Sequence, residues 1–298
     1  MGVLLRPAVW LFGALPWSVA QRFGRRLGGL AWILARRDRV RALRHLEVAY
    51  PELTPDRRRE IAHACFRHLG TSAAELLHVC GRRPEAACTH VRVEGFDHVE
   101  RARSAGHPIL ILTGHCGNWE LIATTNLSHG MGIAAMAREL DDAPLNRFAL
   151  EVRDHLGGET IMRGSSGSSR QMLRVLRAGG ALAMLIDQDF RTDGVFVPFF
   201  GRLAHTTRAP AELALRLGAR VVPVFDERLE DGTHLVRFQP ALDLPDGAVE
   251  ATVRMTSAIE AQVRRRPEQW VWMHRRWRRR PPGEEAAPHP PEDERGDP

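Results

Sequence analysis

Pro108-Ile-Leu-Ile-Leu-Thr113 runs directly into Gly114-His115-Cys116-Gly117-Asn118-Trp119-Glu120, and these residues decide how the chain reads. A short apolar run ending in a glycine is the pattern of a strand buried on both faces. Strand ends in α/β folds are where chemistry is usually placed. His115 therefore reads as a general base and Glu120 as the carboxylate that orients it. On a regular helix, side chains five residues apart diverge by about 140°. The two can meet only if His115 sits in the loop and Glu120 on the helix that follows, a turn for which Gly114 and Gly117 supply backbone freedom. A carboxylate accepting from one imidazole nitrogen leaves the other free to take a proton from a hydroxyl nucleophile.

Outward from this stretch, strands and helices alternate. Val91–Val93, Pro108–Thr113, Ile133–Ala137, Thr160–Arg163, Ala181–Ile186 and Arg220–Phe225 read as strands. Asp97–Ser104, Glu120–His129, Ala143–Leu156, Ser168–Arg177, Ala209–Leu217 and Val249–Arg264 read as helices, several closed by glycine. His234–Phe238 reads as an antiparallel edge strand. The expectation is an α/β fold with a mostly parallel central sheet flanked by helices.

The first third is helical. Thr54-Pro55 is an N-cap followed by proline at the first helical position. Ile61, Cys65, Leu69, Ala73, Leu76, Leu77 and Cys80 then form one apolar stripe. Pro7–Gln21 carries no charge but is 15 residues long and contains Pro16, whereas a spanning helix needs about 20 apolar residues. Trp10, Trp17 and Trp32 among arginines fit a helix lying in an anionic membrane surface. Ser18-Val19-Ala20 imitates a signal-cleavage site, but arginines and a second apolar stretch follow it. The expected organisation is a helical, membrane-associating section over 1–85, an α/β domain over 86–280, and a disordered acidic, proline-rich tail over 281–298.

All 42 basic residues are arginine, and the net charge is +6. Nine arginines lie within residues 1–50 and eight within 264–280, which points to an anionic partner: membrane, phosphorylated lipid, acidic carrier protein or nucleic acid. Arg275–Arg280 with Trp270, Trp272 and Trp277 could stack on nucleic acid, but a membrane edge or a docking patch for an acidic carrier suits the apolar N-terminus better. A hydrophobic content of 44% excludes global disorder. The four cysteines form no CxxC pair and fit no common zinc pattern, so no metal or cofactor is expected. A chain without lysine has no P-loop, and Gly164-Ser-Ser-Gly-Ser-Ser169 lacks the glycine a nucleophilic-serine turn needs.

Gly-His-Cys-Gly-Asn-Trp-Glu-Leu resembles the H-x4-D/E block of the glycerolipid acyltransferases. Its GNWE form is closest to the bacterial lipid A lauroyl/myristoyl acyltransferases and their relatives that acylate mannosylated phosphoinositides. Arg163-Gly-Ser-Ser-Gly-Ser-Ser-Arg170, Leu185-Ile-Asp187-Gln188-Asp189 with Gly194-Val-Phe-Val-Pro-Phe-Phe-Gly201, and Pro267-Glu-Gln-Trp270-Val-Trp-Met-His274-Arg-Arg-Trp277 resemble further blocks of that family, in order, over residues 20–280. The resemblance implies a glycerolipid acyltransferase-like fold and transfer of a fatty acyl chain from acyl-carrier protein or acyl-CoA to a lipid hydroxyl, with a lipid A precursor as the leading acceptor. It implies location at the cytoplasmic face of a bacterial inner membrane. His115 would deprotonate the acceptor, which attacks the thioester without an acyl-enzyme, and Glu120 would orient His115. Arg163 would bind acceptor phosphate or help stabilise the oxyanion. Asn118 would donate to the oxyanion or cap the helix. Asp187 and Gln188 would hydrogen-bond substrate, organise the arginines, or be structural. An acceptor that is a phospholipid, glycolipid or aminolipid is the alternative within the class. A metal-assisted hydrolase using His115, Glu120, Asp187 and Asp189, and a non-catalytic membrane-surface binding protein, are the rivals outside it.

Overall fold

The structure is a computed structural model, and it describes residues 5–138, 142–189 and 193–283. Four helices come first: α1 (Leu5–Ala14), α2 (Trp17–Leu34), α3 (Arg36–Ala49) and α4 (Pro55–Cys80). The Thr54 hydroxyl accepts from the Arg57 N–H at the start of α4, as its sequence requires. Then follow β1 (Val91–Glu94), α5 (Asp97–Ser104), β2 (Ile109–Thr113), a 3₁₀ turn (Trp119–Ala123) with α6 (Thr124–His129), β3 (Ile133–Ala137), α7 (Ala143–His155), β4 (Glu159–Met162), α8 (Ser168–Arg177) and β5 (Ala181–Leu185). The chain continues through β6 (Gly194–Phe199), β7 (Arg202–Thr207), α9 (Ala209–Leu217), β8 (Arg220–Arg228), β9 (His234–Phe238) and α10 (Ala248–Arg265).

Seven strands form one sheet in the order β1-β9-β8-β2-β5-β3-β4, with β8, β2, β5, β3 and β4 mutually parallel. β2 lies inside it, every residue buried. Because successive side chains point to opposite faces, Leu110 and Leu112 join one core with Val221, Leu182 and Met184. Ile109 and Ile111 join another with Val222, Val224 and Ala181. The N-terminal helices share the first of these cores, through Trp32, Leu46, Ile61 and Cys65.

Several expectations are corrected. β9 is antiparallel to β8 but is not an edge strand, because β1 pairs beyond it. His234, Leu235, Val236 and Phe238 are all buried, and a strand closed on both faces takes partners on both sides. The helix expected over Glu120–His129 splits into the 3₁₀ turn and α6. β6 and β7 form an antiparallel hairpin apart from the main sheet, its turn made by Phe200 (φ 53°) and Gly201 (φ 71°). Two central residues with positive φ match the right-handed twist of the strands. Phe200 bears the unfavourable geometry because its N–H donates to Glu260 Oε2 at 2.6 Å and the Arg264 guanidinium lies 4.4 Å over its ring. The stripe expected on α4 is also altered: Ala73 is exposed, while Thr71, Ser72, Glu75 and His78 are buried.

α2 lies on α4 with almost nothing between the backbones. A Cβ on Gly24 would stand 2.4 Å from the Gly70 carbonyl oxygen, and one on Gly28 2.2 Å from that of Phe66. Phe23, Leu27, Leu30 and Leu34 recur at helical spacing and are exposed, about 110° round the helix from this seam. No helix among the described residues is long and apolar enough to cross a membrane. Of the tail expected over 281–298, residues 284–298 lie outside the described residues.

Candidate active site

β2 and β5 pair in parallel with Thr113 opposite Leu185. Continuing that register two residues brings His115 opposite Asp187. The His115 N–H donates to Asp187 Oδ2 at 2.7 Å, and His115 Nδ1 lies 2.8 Å from Asp187 Oδ1. Trp270 Nε1–H gives Oδ2 a second donor at 2.8 Å. The close approach uses Gly114, where a Cβ would meet Ile259 Cγ2 at 3.0 Å and Asp187 Oδ2 at 3.1 Å. Asp187 is 1% exposed. Burial alone would raise its pKa, but the His115 charge and the hydrogen bonds from His115 and Trp270 outweigh burial and hold it well below the usual carboxylate range. An ionised Asp187 fixes the Nδ1–H tautomer and leaves Nε2 as the basic nitrogen. The His115 side chain retains 16% exposure, so that nitrogen can be reached.

Glu120 is not the partner of His115. Its carboxylate takes both Nε and Nη2 of Arg153 on α7, at 2.8 and 2.6 Å, and accepts from Trp119 Nε1 at 3.2 Å. The Trp119 ring packs edge-on to His115, with centroids 4.9 Å apart. Glu120 thus reaches His115 only through Trp119, because the 3₁₀ turn carries its side chain away towards α7.

Asn118 is also relocated. It is 2% exposed, and its amide donates to the Ser72 carbonyl and to Glu75 Oε2 at 3.3 and 3.0 Å. Its side chain makes no cap bond to the following turn, and it faces α4 rather than a substrate. Gln188 is half-buried beside Asp187 and forms no hydrogen bond among the described residues. Asp189 is bound to Arg279. Arg163 follows β4, three strand spacings or about 14 Å along the sheet from β2. It shares the carboxyl edge of the sheet with Arg138, which follows β3. Burial, and then the Arg138 charge, lower its pKa.

Four features of this site lay beyond the sequence reading. Trp270 arrives on the closing segment, whose tryptophans pointed to a surface, yet Trp270 and Trp272 are buried. His274 stands close enough to feel the His115 charge. Burial, then that charge, push its pKa down to about 3, so it stays neutral. Arg153 is the true partner of Glu120. Beneath the loop, Asp226 Oδ2 accepts the Asn118 N–H at 2.7 Å, and at Gly117 (φ 63°) a Cβ would stand 2.2 Å from the Asp226 carbonyl oxygen. Cys116, next to His115, is buried, and burial followed by the charges of Asp187 and Asp226 raises its thiol pKa far above the ordinary value. A thiol shifted in that direction is a poor nucleophile. Among the described residues no three His, Cys, Asp or Glu side chains converge as a metal site.

Residues 3–279 match the family described as bacterial lipid A biosynthesis acyltransferase. The chain is 28% identical to the lipid A biosynthesis lauroyltransferase of Escherichia coli K12, over 92% of this chain and 90% of that protein. It is 29% identical to the lipid A biosynthesis myristoyltransferase of the same organism, over 87% and 81%. It is 27% identical to a phosphatidylinositol mannoside acyltransferase of Mycolicibacterium smegmatis, over 61% and 60%.

Proposed function

We propose, from the premise that the chain belongs to the bacterial lipid A biosynthesis acyltransferase family, that it moves a fatty acyl chain from a carrier-protein or coenzyme A thioester to a hydroxyl of a lipid A precursor. The observation that carries the mechanism is the clamp of His115 on ionised, buried Asp187 at the carboxyl end of β2. His115 Nε2 takes the acceptor's hydroxyl proton as its oxygen attacks the thioester carbonyl. The tetrahedral intermediate collapses to the ester, and the expelled thiolate recovers the proton from the imidazolium. Asp187 holds the tautomer and balances the transient positive charge, which is worth far more in a buried site than in water. With Cys116 protonated, direct transfer without an acyl-enzyme is the favoured course.

Glu120, braced by Arg153, supports His115 through Trp119. Arg163 stands too far along the sheet edge to serve the oxyanion at His115, so it is assigned to the acceptor's phosphate, with Arg138 beside it. Gln188 remains a candidate substrate contact by position alone. The exposed apolar row on α2 with its flanking arginines supports the seating of residues 1–85 on the anionic cytoplasmic face of the inner membrane. A phospholipid, glycolipid or aminolipid acceptor is the second reading, favoured by the match to the phosphatidylinositol mannoside acyltransferase.

The test is a transfer assay with labelled carrier-protein and coenzyme A donors of varied chain length against a panel of these lipids. Transfer to a lipid A precursor that is lost in His115→Ala is expected. Unaltered transfer by that variant removes His115 as the base.

A further inference from the structure

Under the catalytic loop lies a group of buried charges that the transfer chemistry does not use. Glu75 of α4 is 0% exposed and accepts from Arg228 Nε and Nη2 at 2.7 and 2.6 Å, and from Asn118 Nδ2. His234 of β9 is also 0% exposed; its Nδ1 lies 2.9 Å from Asp226 Oδ2 and its Nε2 3.2 Å from Glu75 Oε1. Asp226 in turn holds the Asn118 N–H. His68 is buried and neutral, with Nε2–H aimed at the Gly117 carbonyl at 3.0 Å and Nδ1 facing Arg228. Both residues of the Gly117–Asn118 turn are thus held from below. Gln21 of α2 reaches the same point, its amide donating to Glu75 Oε1 at 2.7 Å and to the Gly232 carbonyl at 2.7 Å.

Two carboxylates, one guanidinium and one imidazole in a dry interior are a poor means of adding stability. Apolar side chains of similar volume are often as stable or more so. What the group does supply is direction: each bond to the loop has one geometry, and losing a partner leaves a charge uncompensated. We propose that Glu75, Arg228, His234 and Asp226 form a positioning centre that holds the Gly117–Asn118 turn, and with it His115 on Asp187, and that Gln21 makes α2 part of this centre. The inference rests on His115 being the transfer base. These residues touch no reacting atom; they act through the loop.

The test uses Glu75→Gln and Gln21→Glu in the full chain. Amide hydrogen exchange is read at 114–118 and compared with 109–112 in β2, alongside kcat and KM for a lauroyl-carrier-protein donor and a lipid A precursor. Expected in both variants is loop exchange about tenfold faster with β2 unchanged, kcat down about tenfold or more, and KM within about twofold. Gln21→Glu sets a second carboxylate against Glu75, whose other charged or titratable neighbours are Arg228, His234, His68, His78 and His90. Its kcat relative to wild type should therefore climb as pH falls and the carboxylate pair takes up a proton, which a packing defect alone would not produce. Wild-type loop exchange in the folded variants overturns the proposal, as does faster loop exchange with kcat intact. If Glu75→Gln does not fold, Gln21→Glu decides, since Gln21 is half-buried at a helix surface. If the wild-type protein transfers no acyl chain, loop exchange still decides whether the centre holds the loop, so the two failures are separable.

Discussion

Replacing Asp187 with asparagine tests the clamp on His115 at nearly constant volume. Oδ2 of Asp187 receives two N–H donors, the His115 backbone and the Trp270 indole. An asparagine must therefore place its oxygen there and turn its NH₂ towards His115 Nδ1. That nitrogen becomes an acceptor, the imidazole proton moves to Nε2, and no basic nitrogen faces the substrate. In a triad with the same logic the wrong tautomer costs about 10⁴ in kcat, or about 5.5 kcal/mol of barrier. With the loop otherwise intact, Asp187→Asn should lower kcat by about 10³–10⁴ while donor and acceptor KM change little. Steady-state kinetics with a thermal melt to confirm folding is the assay. A folded variant within about tenfold of wild type would refute the reasoning.

Glu120→Gln breaks the pair with Arg153 and should lower kcat by about tenfold, far less than Asp187→Asn; the reverse order, measured side by side, would restore Glu120 as the orienting residue. His234 has its pKa raised to about 9: burial opposes this, but Asp226 and Glu75 prevail. A raised folded-state pKa adds stability that is fully present below about pH 6.5 and lost as pH climbs towards 9. Melting temperature should therefore fall across that window, and His234→Gln should flatten the fall. Gly28→Ala forces a methyl to 2.2 Å from a carbonyl and should cost about 1–3 kcal/mol. Gly29→Ala, with nothing within 4 Å, should stabilise by up to about 1 kcal/mol in the same denaturation series. Serine at Phe23, Leu27, Leu30 and Leu34 together should weaken sedimentation with anionic vesicles by about 10³-fold, at about 1 kcal/mol for each half-exposed side chain.

The parallel sheet was readable because its inner strands β2 and β5 are almost wholly apolar and several of its helices close at or just before a glycine. α5, α8, α9 and β3 have the very bounds that pattern and capping predict. His115 was readable for the same reason, as a polar residue just beyond a buried strand. Its partner was not: a local spacing offers Glu120, whereas the partner lies 72 residues away. The signal was nonetheless present, because His115 and Asp187 each stand two positions past the end of neighbouring strands. Recognising it requires knowing that β2 and β5 are adjacent. Glu75, Ser72 and His78 on α4 escaped because a polar residue in an amphipathic pattern defaults to the solvent face, and only tertiary partners bring it inside. The Phe200–Gly201 turn escaped because phenylalanine rarely accepts positive φ, and here Glu260 and Arg264 compensate from another element.

The bare seam between α2 and α4 governs orientation as well as packing. Side chains at a helix contact can usually re-pack and let one helix roll slightly on the other; backbone against backbone cannot. Rolling α2 by one residue would bring Arg25 or Phe23 to where Gly24 now touches Gly70. The compass bearing of the outer apolar row, relative to the loop that carries His115, is therefore set by methyl groups that are absent. If α2 seats on a membrane as proposed, substitutions drifting through the outward positions would alter how strongly it holds that surface, but not the angle at which the His115 loop faces it.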